Sequence, residues 1–339
     1  MHDVSQMHDV SQMHDANQMH DASQMPGRSQ MSDASPKADL AVVLLTFNEA
    51  LHLPRALASV SGFAREIFVI DSYSTDNTVE IALAAGAQVL QHPFQNQARQ
   101  FQWALDNAPM TSAWVMRLDA DEIIEADLAE EIITRLPQLP TEVTGINLNR
   151  KTIYQGKHIR YGGRYPMILL RIWRRGMARM EDRWMDEHIY LTEGSIVDFR
   201  GGFADHNLND LTYFTEKHNQ YASREALEVV NQRLHLFERP ESLTQERTSR
   251  QARIKRLLKE SIFNRVPFEL AAFGYFLIRY VLLLGFLDGR IGLEYHTLQC
   301  FWYRFLVGAK VRELEAALKL AHTPEEKRAT VERLTRRRL

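Results

Sequence analysis

Two aspartates one residue apart, Asp119 and Asp121, are the residues whose type and spacing most clearly suggest chemistry. They follow the apolar run that begins at Val115, so we expect a buried strand to carry both carboxylates at its C-terminal end. Residues i and i+2 of a strand face the same side, and two such carboxylates repel each other unless a cation or a proton compensates them. Mg²⁺ and Mn²⁺ prefer carboxylate and phosphate oxygens. The stretch therefore predicts a divalent metal site. The alternative is a helix start, with Asp119 as its N-cap.

The elements that must position this pair are strands alternating with helices. Apolar runs of strand length end in three polar clusters, which are Thr46–Glu49, Asp71–Thr78 and Asp119–Glu122. Helical spacing separates the runs, over residues 50–60, 79–85 and 95–108. The apolar runs do not alternate with polar residues, which is typical of an α/β fold with a mostly parallel central sheet covered by helices on both faces. Ligands of such sheets bind beyond the carboxyl ends of the strands, so we expect the three clusters to form one site.

The composition of these clusters limits the ligand. No GxGxxG follows the first strand and no GxxxxGK[ST] occurs in the chain, so neither a Rossmann dinucleotide site nor a P-loop is supported. Carboxylates and hydroxyls suit hydrogen bonds to a base and a ribose, with a diphosphate held through a metal. The pattern favours a nucleotide-sugar site.

The segments TFNEA, VIDSYSTDNTVEIA and RLDADE resemble the three motifs of the inverting family 2 glycosyltransferases, which have the GT-A fold. The order, the spacing and the expected place at strand ends all agree over about residues 41–133. Tyr73 stands where the family usually has a glycine, a departure expected to reshape the loop near the base.

The resemblance implies a role for each matching position. Asn48 and Glu49 would lie near the nucleoside, Asp71 would contact the base, and Asp119 would face the ribose and diphosphate. Asp121 would hold the metal, with Asp119 as a second ligand. The set of donor-binding residues is thus Thr46, Asn48, Glu49, Asp71, Ser74 and Asp119. The alternative for each is a cap or turn residue.

An inverting transfer also needs a base that takes the proton of the acceptor hydroxyl. The densest group of candidates after the metal motif is Asp186, Glu187 and His188. The pattern RKTIYQGKHIRYGGRYP, LLRIWRR and DEH resembles the subgroup similar to lipopolysaccharide-core β-1,4-glucosyltransferases, and GFLDGRIG extends that resemblance towards the C-terminus. The subgroup usually has a short acidic pair here, which favours Glu187 as the base and Asp186 as second choice. His206 is a weaker candidate, and a solvated turn is the alternative.

The C-terminal part suggests contact with a membrane. Residues 247–265 carry seven Lys and Arg against one acid, and an apolar segment, residues 266–287, follows directly. Its length approaches a transmembrane span, but Glu269 and the central Arg279 would each be costly in hydrocarbon. An interfacial or re-entrant helix pair is therefore predicted. The alternative is a buried helix of the catalytic part.

Composition and repeats complete the expected organisation. The formal net charge of −2 gives no reason to expect a nucleic-acid partner, and the single cysteine, Cys300, fits a reducing compartment. The polar N-terminus predicts no secretory signal. Residues 1–38 are a polar hexapeptide repeat that is expected to be disordered. We expect three regions to follow: a GT-A domain over 39–208, a helical membrane-associating region over 209–325, and a basic, frayed tail over 326–339.

Together these features predict an inverting, metal-dependent glycosyltransferase on the cytoplasmic side of the inner membrane. It would move a sugar from a nucleotide-diphosphate sugar to a lipid-linked or lipopolysaccharide-type acceptor. Two alternatives remain. One is a sugar-phosphate nucleotidyltransferase, although the phosphate loop rich in glycine that is expected of it is missing. The other is a non-catalytic membrane-bound partner with a GT-A fold, although the expected metal and base residues are all present in the sequence.

Overall fold

The apolar runs form the strands of a nine-stranded mixed sheet in the computed structural model, which describes residues 37–180, 189–234, 236 and 266–335. The strands are β1 (Ala38–Thr46), β2 (Ala64–Asp71), β3 (Gln88–Gln91), β4 (Trp114–Asp119), β5 (Glu122–Ile124), β6 (Val143–Tyr154), β7 (Lys157–His158), β8 (Met167–Arg174) and β11 (Ser195–His206). A separate antiparallel pair is formed by β9 (Ala178–Met180) and β10 (Ile189–Leu191).

The strand order is β3-β2-β1-β4-β8-β6-β11-β5, with β7 paired to β6. The first four strands are parallel, as the apolar runs predicted, and β6 is also parallel to β11. Antiparallel pairing joins β4 to β8, β8 to β6 and β11 to β5. The predicted α/β fold with a mostly parallel central sheet of GT-A type is confirmed.

Helices cover both faces of this sheet because its central strands are apolar on both sides. The helices are α1 (Leu53–Ser61), α2 (Thr78–Ala84), α3 (Gln97–Asn107) and α4 (Ala126–Arg135). On one face Leu57 of α1 and Ile132 of α4 pack in the same core as Val42 of β1. On the other face Phe101 of α3 packs in the same core as Val43. Successive residues of β1 thus enter opposite cores.

The chain after β4 differs from the expected helix start. Strand β4 ends at Asp119, a turn contains Asp121, and residues 122–124 form β5, so α4 begins only at Ala126. The reason is tertiary, because β5 pairs with β11. Asp119 is therefore a strand end and not an N-cap, and Asp121 does not continue the same strand.

The C-terminal part is helical. It contains α5 (Leu211–Leu234), α6 (Phe268–Leu277), α7 (Gly289–His296), α8 (Tyr303–Leu318) and α9 (Pro324–Thr335), with π-helical stretches at Ile278–Leu282 and Thr297–Trp302 and a 3-10 turn at Gly285–Asp288. The frayed tail expected from residue 326 is instead helical as far as Thr335. Val331 explains the difference, since it is fully buried in a cluster with residues of α5 and α8. The N-terminal repeat and residues 247–265 lie outside the described residues.

Within the described ranges, no single helix has both the length and the apolar character needed to cross a membrane. The segments Phe268–Leu282 and Gly285–Leu318 meet that requirement only as a pair, and they are bent by 71° at the break between them.

His296 is the histidine of this helical part whose ionisation is most disfavoured by its surroundings. Its side chain is fully buried, and Nδ1 lies 3.5 Å from the sulfur of Cys300. Burial, reinforced by the positive charges of Arg164 and Arg279, lowers the pKa of His296 from 6.5 to about 4, although Asp288 opposes this effect. The folded protein therefore resists a proton that the unfolded chain accepts.

We expect the contribution of His296 to the free energy of unfolding to decrease as the pH falls below 6.5, against the opposite contribution of acids with raised pKa values such as Glu122. The unfolded chain binds a proton at His296 near pH 6.5, whereas the folded protein does so only near pH 4. This difference amounts to about 2 kcal/mol between pH 7.5 and pH 5.0. Urea unfolding at the two pH values measures it.

The variant His296→Asn should remove that part of the pH dependence, whatever its effect on stability at pH 7.5. The exposed His322 provides the matched control, since His322→Asn should keep the dependence of the parent protein. An unchanged pH dependence in His296→Asn would contradict the assignment.

Candidate functional site

Parallel pairing of β1 with β2 and β4 brings the three polar clusters to one edge of the sheet. Thr46, the last residue of β1, is in register with Asp71, the last residue of β2. Leu45 is in register with Asp119, the last residue of β4. The expectation that the three clusters meet beyond the carboxyl ends of the strands is met by this geometry.

The carboxylate of Asp71 holds the centre of this edge. Its side chain is fully buried, and Oδ1 accepts hydrogen bonds from Thr46 Oγ1 at 3.0 Å and from Ser74 Oγ at 2.5 Å. Oδ2 accepts from the backbone N–H of Ser74 at 2.9 Å and from Nε2 of Gln91 at 3.3 Å. A buried carboxylate needs such donors, because an unsatisfied charge away from water is costly. Asp71 therefore sets the conformation of the loop that follows β2.

The loop after β1 is tied to the same structure. The backbone N–H of Asn48 donates to Ser74 Oγ at 2.8 Å, and Asn48 Oδ1 accepts from the N–H of Thr75 at 2.8 Å. The N–H of Glu49 donates to Thr78 Oγ1 at 2.8 Å. The carboxylate of Glu49 pairs with Nδ1 of His52 at 2.7 Å. These polar side chains thus hold two loops together at the edge where a ligand is expected.

Tyr73 keeps the backbone conformation that a glycine would favour. Its φ is 61°, in the left-handed region, and the residue is 54% exposed. A side chain in that region costs about 1–2 kcal/mol. The hydrogen bonds from Ser74 to Asp71 close the turn around Tyr73. Tyrosine in place of the usual glycine therefore changes the surface of the loop, while the backbone retains the left-handed conformation.

Asp119 and Glu122 share an arginine beneath the edge. Arg171 donates to Oε1 of Glu122 at 2.6 Å and to Oδ2 of Asp119 at 3.4 Å, and Arg117 donates to Oδ1 of Asp119 at 3.2 Å. Glu122 also accepts the backbone N–H of Asp119 at 2.9 Å. This network fixes the turn that contains Asp121.

The network divides charge unequally between the two acids. Burial alone would raise the pKa of Asp119, but Arg117 and Arg171 hold it well below its usual range. Burial raises the pKa of Glu122 to about 8, opposed by Arg171 and assisted by the charges of Asp119 and Asp205. Asp119 is therefore the member that is ionised at neutral pH.

Asp121 lies where β11 ends. Its Oδ2 accepts from Asn207 Nδ2 at 3.0 Å, and its backbone carbonyl accepts from the N–H of His206 at 2.9 Å. Burial and the charge of Asp121 raise the pKa of the neighbouring Asp205 to about 6, although Arg150 opposes this effect. Negative charge is thus concentrated around Asp121, and a cation there would relieve the repulsion.

These oxygen donors fit Mg²⁺ or Mn²⁺, which bind few protein carboxylates and keep other oxygen ligands. Within the described ranges no group of three or more His, Cys, Asp or Glu residues is arranged to hold a metal ion. The aspartate pair therefore stays a prediction, and of the two Asp121 is less engaged by cationic side chains than Asp119.

The predicted acceptor base is not placed by this geometry, since Asp186, Glu187 and His188 lie outside the described residues. His206, the weaker candidate, is an ordered residue at the end of β11. Its Nδ1 lies 3.3 Å from Nη1 of Arg55, and its carbonyl accepts from Nη2 of Arg55 at 2.8 Å. Burial and the charge of Arg55 lower the pKa of His206, so it is neutral at pH 7.

Several residues of this edge were not predicted from the sequence. They are Arg117, Arg171, Asp205 and Asn207. Arg171 had a usable signal, because a charged residue inside the apolar run of β8 must find a buried partner. Asp205 and Asn207 flank the histidine that was considered, but only the pairing of β11 with β5 brings them to Asp121.

Comparison with known proteins agrees with this geometry. Residues 41–195 match the family described as Glycosyl transferase family 2. Uncharacterised glycosyltransferases of Rickettsia prowazekii and Rickettsia bellii are 36% and 37% identical over 93 residues, which are 27% of this chain and 31% of each relative. The match therefore spans about a third of the length of these relatives. The three predicted motifs lie within this matched region, so this part of the chain is similar to family 2 glycosyltransferases.

Solved structures to which this chain shows similarity include S. aureus TarS in complex with UDP-GlcNAc. That similarity covers 81% of this chain and 91% of TarS, with 12% identity and a TM-score of 0.43. Another is glucosyl-3-phosphoglycerate synthase from Mycobacterium tuberculosis in complex with Mn²⁺, UDP and glucosyl-3-phosphoglycerate. Here 40% of this chain and 51% of the synthase are covered, with 23% identity and a TM-score of 0.28.

The variant Arg171→Gln should lose on the order of 3 kcal/mol of unfolding free energy. Arg171 and Glu122 are 7% and 1% exposed, so removal of the guanidinium leaves the ionised Asp119 without one of its cations and the buried Glu122 without its donor. Urea unfolding at pH 7.5 measures the change.

The matched control is Arg179→Gln on the surface, where the pair with Asp106 is 53% and 52% exposed. That change should cost less than about 1 kcal/mol. Equal effects of the two substitutions would show that the Arg171 network does not support the site.

Proposed function

We propose that this chain, which carries a family 2 glycosyltransferase domain over residues 41–195, is a metal-dependent inverting glycosyltransferase that uses a nucleotide-diphosphate sugar. The proposal rests on one observation, which is that three acids and two hydroxyls lie together beyond the carboxyl ends of β1, β2 and β4. These residues are Asp71, Asp119, Asp121, Thr46 and Ser74. That set offers hydrogen-bond groups for a base and ribose on one side and acidic ligands on the other.

The donor nucleotide would lie across this edge. Asp71 and the two loops that it orders would receive the base, with Asn48 and Glu49 beside the nucleoside. Asp119, held ionised by its arginines, would face the ribose and the diphosphate. Because hydrogen bonds within the protein fix these groups beforehand, little reorganisation is needed when the donor binds.

Asp121, with Asp119, would hold Mg²⁺ or Mn²⁺. The metal supplies positive charge that stabilises the departing nucleotide diphosphate. Asn207 and Arg171 support this arrangement from behind, since they keep the carboxylates of Asp121 and Asp119 in place. Glu122 anchors the turn by accepting the N–H of Asp119.

The acceptor would be a hydroxyl of a lipid-linked or lipopolysaccharide-type glycan on the cytoplasmic side of the inner membrane. Glu187, or Asp186 as second choice, would take the proton of that hydroxyl as its oxygen attacks the anomeric carbon. The bond to the diphosphate breaks on the opposite side, so one displacement inverts the configuration. The resemblance to lipopolysaccharide-core β-1,4-glucosyltransferases supports this acceptor class.

The variant Asp121→Asn should lose donor turnover by a factor of about 10² or more, because the amide is a poor ligand for a hard cation. The measurement is slow hydrolysis of a panel containing UDP-, GDP-, ADP- and dTDP-glucose, with and without Mn²⁺. The surface variant Asp106→Asn should hydrolyse as the parent protein does. Full activity after dialysis against EDTA would rule out the metal requirement.

For the base, Glu187→Gln should lower sugar transfer by about 10²–10⁴-fold, since the amide keeps the shape of the side chain but cannot accept a proton. Donor binding should be nearly unchanged. Transfer is measured to a detergent extract of bacterial envelope glycolipids, and donor binding by calorimetry.

The adjacent Asp186→Asn is the control, because if Asp186 and Glu187 begin a strand their side chains face opposite sides. It should cost less than Glu187→Gln. Near-normal transfer by both variants would remove this pair as the base and leave His188 and His206 as candidates.

A further inference from the structure

An exposed apolar surface lies at the bend between α6 and α7. We call residues 281–287 the apolar turn. Its large side chains are 44–71% exposed, and its leucines are exposed by 71% at Leu282, 50% at Leu287, 46% at Leu284 and 45% at Leu283. The exposed apolar side chains of α6 continue the surface at Leu270, Phe273 and Leu277. Contiguous apolar surface of this kind marks a partner or a membrane.

The charged residues around the apolar turn favour a membrane over a protein partner. Arg290, with a side chain 92% exposed and 3.7 Å from the carboxylate of Glu294, and the exposed Arg160 lie on segments that contact the turn. Asp288, which directly follows the apolar turn, is buried, and its carboxylate accepts the backbone N–H groups of Arg160 and Tyr161. In the sequence, residues 247–265 add seven Lys and Arg against one acid. Apolar side chains with a positive border match the interface of an anionic bilayer.

Arg279 explains how an apolar segment with a central cation suits such an interface. Its Nη1 donates to the carbonyls of Gly162 at 2.6 Å and Gly163 at 2.9 Å, while Nε and Nη2 donate to the hydroxyl of Tyr275 at 3.0 and 2.8 Å. The guanidinium thus binds the protein and is not directed to lipid. The cost that the sequence predicted for this charge in hydrocarbon does not arise.

The same contacts attach a loop of the catalytic domain to the apolar turn. We call residues 160–164 the glycine loop. The N–H of Gly162 donates to the carbonyl of Leu283 at 2.9 Å, and Gly162 has a φ of +70°. A Cβ on Gly162 would lie 2.1 Å from Cε1 of His296, so only glycine fits. The glycine loop leads into β8, which carries Arg171 to the candidate site.

We propose that the apolar turn inserts into the headgroup region of an anionic bilayer and that Arg279 holds the glycine loop at that surface. The acceptor is then received beside the lipid headgroups, between the bilayer and the strand ends. The position of the acceptor rests on the proposed glycosyltransferase function, whereas insertion of the apolar turn into the bilayer does not. The substrate class that follows is an amphiphile whose reacting sugar stays close to its lipid.

Flotation with vesicles of phosphatidylcholine and phosphatidylglycerol at 3:1 tests the insertion. The double variant Leu282→Glu/Leu287→Glu places charges on exposed positions, so it should fold and yet partition about tenfold or more weakly than the parent chain. Leu83→Glu on α2, where the leucine is 57% exposed, is the matched control and should float as the parent does. Parental flotation of the double variant, or no flotation of the parent chain, would overturn the proposal.

A fluorescent probe tests the position of the glycine loop. Cys300 is fully buried, so Tyr161→Cys offers an exposed thiol for an environment-sensitive dye. Its emission should shift to the blue on the same vesicles, whereas dye at Leu83→Cys should not. Adding Arg279→Gln, or Arg279→Lys if the first variant fails to fold, should preserve flotation and abolish the shift.

An unshifted dye at position 161 on a chain that floats would refute the placement of the loop. Hydrolysis of the four nucleotide sugars reports the proposed function separately. A chain that floats with a shifted dye and hydrolyses none of them would leave the bilayer surface standing and reject the enzymatic assignment.

Discussion

Parallel pairing of β1 with β2 and with β4 is the constraint on which the candidate site depends. It aligns Thr46 with Asp71 and places Asp119 beside the end of β1. Hydrogen bonding across the ladder sets this register, and the two apolar cores on either side of β1 hold it, because a slip of one residue would exchange the buried faces. The polar groups at the strand ends are therefore positioned by burial that occurs well away from them.

The site concentrates acidic side chains, and its surroundings must compensate them. Asp71 relies on neutral donors from its own loop and from Thr46, whereas Asp119 relies on Arg117 and Arg171. Near Asp121 the compensation is weaker, as the raised pKa of Asp205 indicates. Preorganised donors around one carboxylate and more weakly compensated charge around another suit different tasks, namely hydrogen bonding to a nucleoside and binding of a cation.

The C-terminal helices are joined to the catalytic domain by polar contacts beneath an apolar surface. Arg279, Asp288 and His296 all contact the glycine loop or its neighbours. A segment that looks suited to hydrocarbon by composition is thus also a structural support for the loop that precedes β8. Its Arg279 binds the protein and its Glu269 pairs with Arg312 at the surface, while its leucines remain exposed.

The sequence by itself determined strands β1, β2 and β4, helices α1 to α3 and the three polar clusters, because apolar periodicity and strand ends are properties of neighbouring residues. It also indicated the similarity to family 2 glycosyltransferases, from motifs that lie within the matched residues 41–195. Only the tertiary structure decided that residues 122–124 form a strand, that Arg171 pairs with Glu122 at a separation of 49 residues, and that Arg279 binds Gly162 at a separation of 117. Such contacts depend on which distant segments pair and in which register. A local pattern shows that a buried charge needs a partner, but the partner is chosen by the fold.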